Sequence, residues 1–286
     1  MKKLILLLSL FSLNSYGTPD VIYGEDNRID VFETTNPEYQ KFAASTLARV
    51  EMNELKGWKF FKLWELKKPK TLKDMNLCSD EKFLDQPTIA GCTAFLVSPK
   101  HIVTAGHCIS DHTCRSNLYY WFFDYHMPED GEFQVKRPRE DFVSCKKVVK
   151  RVFSKATGED YALIELKKEV KNRTPLKFRR EGTASVGDEL VIIGHPSGLP
   201  TKIADGAKVK EVNEYFFTAN LDAFGGNSGS PVINTRTGEV EGILVRGQKD
   251  YRWDQIKFCN RSNRLQDEAA GESVTNITRI QELMNL

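Results

Sequence analysis

The chain from about Gly91 onward is a succession of short apolar runs separated by turn-forming residues. Glycine, proline and asparagine interrupt these runs, for example over residues 196–200 and 225–229. Many short strands joined by frequent turns are typical of an all-β barrel or sandwich. Near the end of the chain, residues 274–286 carry apolar side chains at helical spacing, which predicts one amphipathic α-helix. The clearest strand candidates are Thr93–Ser98, Ile102–Ala105, Tyr161–Leu166, Glu189–Ile193 and Val240–Val245.

The first residues have the pattern of an export signal. Lys2 and Lys3 precede a short apolar run over residues 4–13, and Ser15 and Gly17 supply the small residues that signal cleavage requires. The apolar run is too short to cross a bilayer as a helix, and no later segment is apolar enough to do so. We therefore expect a secreted or periplasmic protein with no stable membrane insertion.

Charge and cysteine content narrow the classes of partner and ligand. The 41 basic and 39 acidic residues give a net charge of +2, so nucleic acid is not expected as a partner. Six cysteines in an exported chain predict three disulfides. Because no Cys-x-x-Cys pair is present, we predict no metal site. The cysteines are Cys78, Cys92, Cys108, Cys114, Cys145 and Cys259.

The segment GGNSGSP, residues 225–231, surrounds one serine with glycines. A tight turn there exposes the hydroxyl of Ser228, and Gly226 presents its backbone N–H beside that of Ser228 with no side chain in the way. Two such N–H groups form an oxyanion hole, in which each donor commonly stabilises a transition state by about 3 to 4 kcal/mol. Taken alone, the segment also fits a Gly/Ser-rich surface turn.

Two further segments place an imidazole and a carboxylate at the ends of predicted strands. VTAGHC contains His107 after small residues, and Cys108 is predicted to pin this turn by pairing with Cys92 on the preceding strand. DYALIEL begins with Asp160, which is suited to accept the imidazole N–H and to hold one tautomer. The other four cysteines allow three pairings, among which the sequence does not choose.

TAGHC, DYALIEL and GNSGSP occur in this order and resemble the three signature segments of the chymotrypsin clan of serine endopeptidases. The GNSGSP core resembles the bacterial branch that includes the glutamyl endopeptidases and their trypsin-like relatives. Residues 21–39 resemble the mature amino terminus of those enzymes, which suggests maturation before Val21. The resemblance is strongest over residues 88–247 and weakest over residues 40–75, which are interpreted as an insertion.

The resemblance implies an all-β fold of two six-stranded antiparallel β-barrels, followed by a C-terminal α-helix, with the active site between the barrels. The expected segments are a signal peptide over residues 1–17, a short propeptide over 18–20, an N-terminal extension and insertion over 21–87, a first barrel over 88–172, a second barrel over 173–258, and a C-terminal segment with the helix over 259–286.

The resemblance also implies a catalytic triad of His107, Asp160 and Ser228, with Gly226 and Ser228 forming the oxyanion hole. Ser228 would attack a peptide carbonyl while His107 takes and returns the proton, through an acyl-enzyme. This chemistry needs no cofactor and no metal. The expected partners are protein or peptide substrates, and we expect a monomer.

In this clan the residue six positions before the nucleophile lies at the base of the primary specificity pocket, and here it is Asp222. A buried carboxylate there favours Lys or Arg before the scissile bond. Leu244 stands where glutamyl-specific relatives use histidine, which disfavours acidic specificity. Val245, Arg246 and Gly247 are expected to form a pocket wall. The alternative is that Arg246 pairs with Asp222 and neutralises it.

Other readings of the same chain stay open. Because a fold does not fix function, two alternatives remain. One is a catalytically silent binding protein with the same fold, and the other is a protease with non-basic specificity. Asn227 and Phe224 replace an aspartate and a cysteine of animal trypsins, which argues against activation in the animal manner. His195, between Gly194 and Pro196, is predicted to lie in a surface turn.

Overall fold

Apolar strands form two large β-sheets that pack against each other through their faces. The computed structural model describes residues 22–58, 62–67, 69–247, 249–266 and 271–286. The predicted signal peptide over residues 1–17, the propeptide over 18–20 and Val21 lie outside these ranges. Among the described residues, no helix has both the length and the apolar character needed to cross a membrane.

The described ranges consist mainly of strands connected by turns and a few short helices. The strands are β1 (Ile22–Tyr23), β2 (Ile29–Asp30), β3 (Thr46–Glu51), β4 (Leu55–Trp58), β5 (Leu63–Leu66), β6 (Cys92–Ser98), β7 (His101–Thr104), β8 (Tyr119–Phe122), β9 (Lys136–Pro138), β10 (Phe142–Val143), β11 (Cys145–Phe153), β12 (Asp160–Leu166), β13 (Glu189–Gly194), β14 (Lys202–Val212), β15 (Phe216–Ala219), β16 (Pro231–Asn234), β17 (Val240–Arg246), β18 (Tyr251–Asp254), β19 (Cys259–Ser262), β20 (Arg264–Leu265) and β21 (Glu272–Asn276). The α-helices are α1 (Pro37–Ala44), α2 (Asp111–Arg115) and α3 (Gln281–Met284). Single 3₁₀ turns cover Val31–Glu33, Met52–Glu54, Lys73–Met75, Gly106–Cys108, Arg139–Asp141, Pro196–Gly198 and Ile277–Arg279.

The second large sheet closes on itself. Its strands follow the order β13-β16-β17-β21-β15-β14, and β14 pairs again with β13, which completes a six-stranded barrel. The short strand β2 adds to the outside of β14. Closure pairs the strands on both sides and so leaves no open edge among them.

The first large sheet is curved but stays open among the described residues, with the order β10-β8-β3-β6-β7-β12-β11. Its edge strand β11 reads CKKVVKRVF, and most of its side chains are exposed. Lysine and arginine on an edge strand discourage pairing with another chain. The neighbouring strand β12 is buried except at Glu165, which is why its sequence is almost continuously apolar after Asp160.

The largest core cluster contains side chains from both sheets. Phe95, Val103 and Leu163 come from the first sheet, whereas Val191 and Val245 come from the second. Burying both sheets against one cluster fixes their relative position.

The expected all-β, chymotrypsin-like fold is confirmed, but only the second of the two predicted six-stranded barrels closes, because the first sheet is a curved, open sheet of seven strands among the described residues. The predicted boundaries also change. Residues 46–51 form β3, which pairs with β6 and β8, so the first sheet begins well before residue 88. The predicted helix over 274–286 is limited to Gln281–Met284 and the preceding turn. Residues 272–276 are instead β21, which pairs with β15 and β17 inside the second barrel.

All six cysteines are paired. Cys92 bonds to Cys108, as the sequence predicts, and the other two bridges resolve the open connectivity as Cys78–Cys259 and Cys114–Cys145. The Cys78–Cys259 bridge joins residues 181 positions apart and ties the β18–β19 hairpin to the loop before β6.

Candidate active site

His107 and Asp160 form a directly bonded pair at the end of the first sheet. His107 Nδ1 lies 2.6 Å from Asp160 Oδ2, and the His107 backbone N–H donates to Asp160 Oδ1 at 2.9 Å. The Asp160 side chain is buried, whereas 33% of the His107 side chain is exposed. The carboxylate therefore holds both the ring and its backbone, while part of the imidazole stays accessible.

Strand pairing brings these two side chains together. β12 runs antiparallel to β7, with Ala162 opposite Thr104. Asp160 lies two residues before Ala162, so it faces the 3₁₀ turn Gly106–Cys108 that follows β7 and carries His107. Local chain geometry thus places a carboxylate beside an imidazole although 53 positions separate them.

Ser228 lies in a loop that is held by both sheets. The N–H of Thr93, in β6 of the first sheet, donates to the Ser228 carbonyl at 2.8 Å. The N–H of Gly229 donates to the carbonyl of Leu244, in β17 of the second barrel, at 2.7 Å. The loop therefore crosses the seam between the two sheets.

The same seam contains the imidazole. Cys108 Sγ lies 3.5 Å from the Ser228 carbonyl oxygen, and Cys108 directly follows His107 in the 3₁₀ turn. Within the described ranges, no hydrogen bond joins the Ser228 hydroxyl to His107. Catalytic hydrogen bonds often tighten only in the complex with substrate, so this geometry is compatible with a nucleophile and its base.

Two backbone N–H groups in the serine loop are available as donors. In the part of the chain that the structure describes, neither the Gly226 N–H nor the Ser228 N–H donates to a protein acceptor. Gly226 has a φ of +95°, and a Cβ atom there would lie 2.4 Å from the His195 carbonyl oxygen. Only glycine fits this close approach in this conformation. The arrangement is that expected of an oxyanion hole.

A pocket of about 210 Å³ opens beside the serine loop. Ser228 lies on its lining together with Val245, Arg246 and Gly247, the three residues predicted to form a wall. Asp250 and Glu272 also line it. Burial raises the pKa of Asp250, although the Gly225 N–H that it accepts works in the opposite direction.

Asp222 is a correction to the predicted pocket, because it does not line the cavity that contains Ser228. Its Oδ1 accepts the Tyr23 N–H at 2.8 Å, and its Oδ2 accepts the Asn27 N–H at 2.9 Å. Burial raises the pKa of Asp222 to about 6, with the two backbone N–H groups acting against that rise. Both carboxylate oxygens of Asp222 therefore accept hydrogen bonds from the N-terminal segment.

The alternative role of Asp222, an ion pair with Arg246 that neutralises it, is not formed either. Among the described residues, Arg246 has no ion pair with Asp222, and its Nη2 donates to the Gly158 carbonyl at 2.6 Å. The side chain is exposed, and the bond to Gly158 holds it toward the first sheet. One cationic group therefore stands at the border of a pocket that has two carboxylates in its lining.

His195 is buried, contrary to the predicted surface turn. Its Nδ1 lies 2.9 Å from Thr93 Oγ1, and its Nε2 lies 3.1 Å from Thr201 Oγ1. The ring stacks on Tyr125 with centroids 5.7 Å apart. Burial lowers the pKa of His195 to about 3, and the positive charge of Lys202 acts in the same direction.

The described residues contain one cluster of possible metal-binding side chains, and its atoms are poor metal ligands. The only group of three within these ranges is Cys92, His107 and Cys108, whose candidate ligand atoms lie within 4.8 Å of one another. Cys92 and Cys108 are bonded to each other, so neither supplies the thiolate that binds metals.

Sequence reasoning missed Glu272 and Asp250 as pocket residues, and Thr93 as a contact of the serine loop. Glu272 lies two residues before the predicted helix over 274–286, and its place in a strand depends on pairing with β15 and β17. For Asp250 and Thr93, no local pattern reveals the contact, because each depends on pairing between distant segments.

Residues 92–243 match the trypsin-like peptidase domain family, so the chain belongs to this family. It is 28% identical over 150 residues to a glutamyl endopeptidase of Bacillus licheniformis, covering 51% of this chain and 46% of that protein. It is also 28% identical over 181 residues to an extracellular metalloprotease of Bacillus subtilis, covering 59% of this chain and 55% of that protein. The chain thus spans about half the length of these curated relatives.

Among solved structures, the fold is similar to that of a Glu endopeptidase in complex with MPD. The TM-score is 0.52 at 15% identity, and the match covers 93% of this chain and 98% of the other. At this identity the likeness shows the chymotrypsin-like fold.

Proposed function

We propose that this chain is a serine endopeptidase in which His107, Asp160 and Ser228 form the catalytic triad. The observation that carries the proposal is the bond of 2.6 Å between His107 Nδ1 and Asp160 Oδ2, in the seam that also contains the Ser228 loop. Membership of the trypsin-like peptidase family supports it.

In the proposed reaction, Ser228 Oγ attacks the carbonyl carbon of a peptide bond, and His107 Nε2 takes the hydroxyl proton. Asp160 keeps the Nδ1 proton in place and stabilises the imidazolium. The N–H groups of Gly226 and Ser228 bind the resulting oxyanion. His107 then gives its proton to the leaving amine, which leaves an acyl-enzyme that water hydrolyses in a second, equivalent pair of steps.

A fluorophosphonate probe tests this proposal. We expect covalent labelling at Ser228, located by mass spectrometry of the digested protein, and no labelling in Ser228→Ala. The catalytically silent alternative predicts a folded protein in which wild type and Ser228→Ala behave alike. Absence of label on folded, disulfide-bonded wild type would overturn the proposal.

We further propose that the enzyme cleaves after Lys or Arg, with Asp250 and Glu272 in place of the expected Asp222 as the pocket carboxylates. Both line the pocket beside Ser228, and the Glu272 residue is buried. A cationic side chain that enters a pocket with two carboxylates gains charge-assisted hydrogen bonds. Leu244, at the position that the glutamyl-specific relatives fill with histidine, supports the same choice.

Arg246 is the observation that favours the rival specificity. It is exposed and lines the same pocket, so an acidic substrate side chain would find a guanidinium at the border. Digestion of an unbiased peptide library separates the two. We expect Lys/Arg before the cleaved bond, a preference that Glu272→Gln lowers at least tenfold. Cleavage after Glu that Arg246→Ala abolishes would establish the rival specificity.

We propose a secreted or periplasmic location for the mature enzyme. Three disulfides join the six cysteines, and such bridges persist in oxidising compartments. Fractionation of the producing cells, followed by amino-terminal sequencing, tests the location and the expected maturation before Val21. Recovery of the uncut chain in the cytoplasm with reduced cysteines would contradict it.

A further inference from the structure

His195 lies in the turn that follows β13, directly behind the proposed oxyanion hole. The ring is buried and sits between two threonine hydroxyls, with Nδ1 2.9 Å from Thr93 Oγ1 and Nε2 3.1 Å from Thr201 Oγ1. Because it is buried behind the serine loop, it does not face the pocket as a second base. Its contacts therefore call for another role.

The surrounding hydrogen bonds determine which nitrogen carries the proton. Thr93 Oγ1 donates its single proton to the Gly226 carbonyl at 2.8 Å, so it must accept from the Nδ1–H of His195. The Thr201 hydroxyl lies 2.8 Å from the Tyr125 carbonyl and 3.1 Å from His195 Nε2. The Tyr125 carbonyl already accepts the Thr201 backbone N–H at 2.6 Å, and His195 Nε2 carries no proton once Nδ1 donates to Thr93. We therefore assign the Thr201 hydroxyl proton to the bond with His195 Nε2. This assignment gives a partner to each polar group that joins Thr201, His195, Thr93 and the Gly226 carbonyl, and it requires a neutral imidazole.

The result is a directed relay from His195 Nδ1–H to the Thr93 hydroxyl and from there to the Gly226 carbonyl. The same turn acts on the other side of Gly226. The Ser197 N–H donates to the Gly225 carbonyl at 2.6 Å. A peptide group is planar and its C=O and N–H point in opposite directions, so fixing the Gly225 carbonyl aims the Gly226 N–H the other way.

Both peptide groups that flank Gly226 are thus held by the turn that contains His195. Gly226 needs this support, because a glycine with φ near +95° has wide conformational freedom and its peptide groups are otherwise easily rotated. Rotation of the Gly225–Gly226 peptide would turn the N–H away and remove one of the two oxyanion donors.

We propose that His195 and Thr93 are positioning residues that hold the Gly226 N–H in the orientation required to bind the oxyanion. Neither residue touches the substrate. Their effect passes through the Gly226 carbonyl, so it acts on the transition state and leaves ground-state binding of the substrate unchanged. This inference rests on the proposed function of the Ser228 loop.

The test compares Thr93→Val with Thr93→Ser. Thr93→Val removes the hydroxyl at nearly constant volume and should lower kcat by about 10- to 10²-fold, since complete loss of an oxyanion donor costs about 10²- to 10³-fold. KM should change less than threefold, and Thr93→Ser should restore most of kcat. The affinity for a peptide aldehyde, which forms a tetrahedral adduct with Ser228, should fall in parallel with kcat. Binding of the matching product peptide should not change.

Thr46→Val is a matched control. Thr46 is a buried strand residue whose hydroxyl also donates to a backbone carbonyl, that of Phe42 at 2.9 Å, far along the chain from the serine loop. The Thr46→Val variant should lose about as much thermal stability as Thr93→Val, while its kcat stays unchanged. If Thr93→Val does not fold, His195→Phe keeps the ring stacked on Tyr125 without the Nδ1 donor and should show the same split between kcat and KM.

The outcomes separate the two proposals. Wild type that labels with fluorophosphonate, together with a folded Thr93→Val that keeps full kcat and aldehyde affinity, overturns the positioning role alone. A parallel loss of kcat and of product-peptide affinity also overturns it, because that pattern indicates general distortion of the pocket. Folded wild type that neither labels nor cleaves overturns the proposed protease and the positioning role together.

Discussion

Asp222 accepts the backbone N–H of Tyr23 at 2.8 Å, although 199 positions separate the two residues. The Tyr23 hydroxyl in turn donates to Glu272 Oε1 at 3.1 Å. A carboxylate expected to select the substrate therefore anchors the N-terminal segment, and that segment contacts a carboxylate that does line the pocket. The start of the described chain therefore contacts the lining of the pocket beside Ser228 through Glu272.

Asp222→Asn should leave the cleavage preference unchanged. The substitution removes one of the two acceptors, because an amide nitrogen cannot accept the N–H of Tyr23 or Asn27. We expect faster hydrogen exchange at one or both of these amides, measured by mass spectrometry, and a Lys/Arg preference within about threefold of wild type. A tenfold loss of that preference would return Asp222 to the role of selector. Glu272→Gln is the comparison variant, since it changes a carboxylate in the pocket lining.

His195 should make folding stability depend on pH in a defined window. Its pKa is about 3 in the folded protein, against an ordinary value of 6.5, so the unfolded chain alone binds a proton between these values. The stability that the neutral ring contributes is complete above pH 6.5. It is lost as pH falls toward 3, at up to about 1.4 kcal/mol per pH unit.

Denaturant unfolding of wild type and of His195→Phe at several pH values gives the free energy of unfolding of each protein. The difference between the two at each pH is the contribution of His195. The variant should lack the added acid sensitivity. Asp222 acts with the opposite sign, since its pKa rises from 3.8 to about 6 on folding. Its contribution is present below pH 3.8 and is lost as pH rises to about 6, which Asp222→Asn should reveal as a difference of the opposite slope. Equal slopes in wild type and His195→Phe would contradict a neutral buried imidazole.

Asp160→Asn should lower kcat by about 10⁴-fold with little change in KM. An amide in place of the carboxylate presents an N–H to His107 Nδ1, which forces the proton onto Nε2 and leaves no base for Ser228. The variant should fold, because the Asp160 backbone N–H keeps its bond to Thr275 Oγ1 at 3.3 Å. Steady-state kinetics with a cleavable peptide measure the loss, and retention of more than a tenth of wild-type kcat would exclude the proposed pairing.

The sequence predicted the residues whose surroundings are local in the chain. His107 follows a strand and Asp160 begins one, and antiparallel pairing of β7 with β12 was sufficient to bring them together. The Cys92–Cys108 bridge links β6 to the 3₁₀ turn after β7, and β6 and β7 are neighbouring strands. In each case the two residues lie on neighbouring strands or on the turns next to them, so the local sequence pattern was enough to predict their contact.

The sequence could not predict contacts that depend on distant segments. The position of Asp222 six residues before Ser228 predicts a place in the pocket, but its side chain accepts the backbone N–H groups of Tyr23 and Asn27. Residues 272–276 carry no signal that separates a strand from a helix, since only pairing with β15 and β17 decides. His195 lies between glycine and proline, a typical turn setting, and its burial comes from Tyr125 and two threonines elsewhere.

Removal of the Cys92–Cys108 bridge should affect catalysis as well as stability. The double variant Cys92→Ser/Cys108→Ser opens a loop with a separation of 16 residues, which corresponds to about 3 kcal/mol of unfolding free energy. Cys108 also adjoins His107 and lies against the Ser228 carbonyl. We therefore expect kcat to fall at least tenfold at a temperature where the variant is fully folded.

The Cys114–Cys145 bridge supplies the control for that experiment. It closes a separation of 31 residues and joins α2 to β11, away from the catalytic seam. Its double serine variant should lose a comparable amount of stability and keep its kcat. Equal kinetic losses in the two double variants would show that the effect of the Cys92–Cys108 bridge is general destabilisation.

Gly226→Ala should disable the oxyanion hole. A Cβ atom would lie 2.4 Å from the His195 carbonyl oxygen and 2.9 Å from the Gly198 nitrogen, so the serine loop must move away from the turn that holds it. Gly187→Ala separates this close approach from backbone strain, because Gly187 has a φ of +89° and open space around its Cβ position. Both variants should lose about 1 to 3 kcal/mol of stability through the unfavourable φ. Only Gly226→Ala should lower kcat by about 10²-fold or more, as loss of an oxyanion donor predicts. If Gly187→Ala and Gly226→Ala lose stability alike and both keep kcat, the Gly226 N–H does not bind the oxyanion.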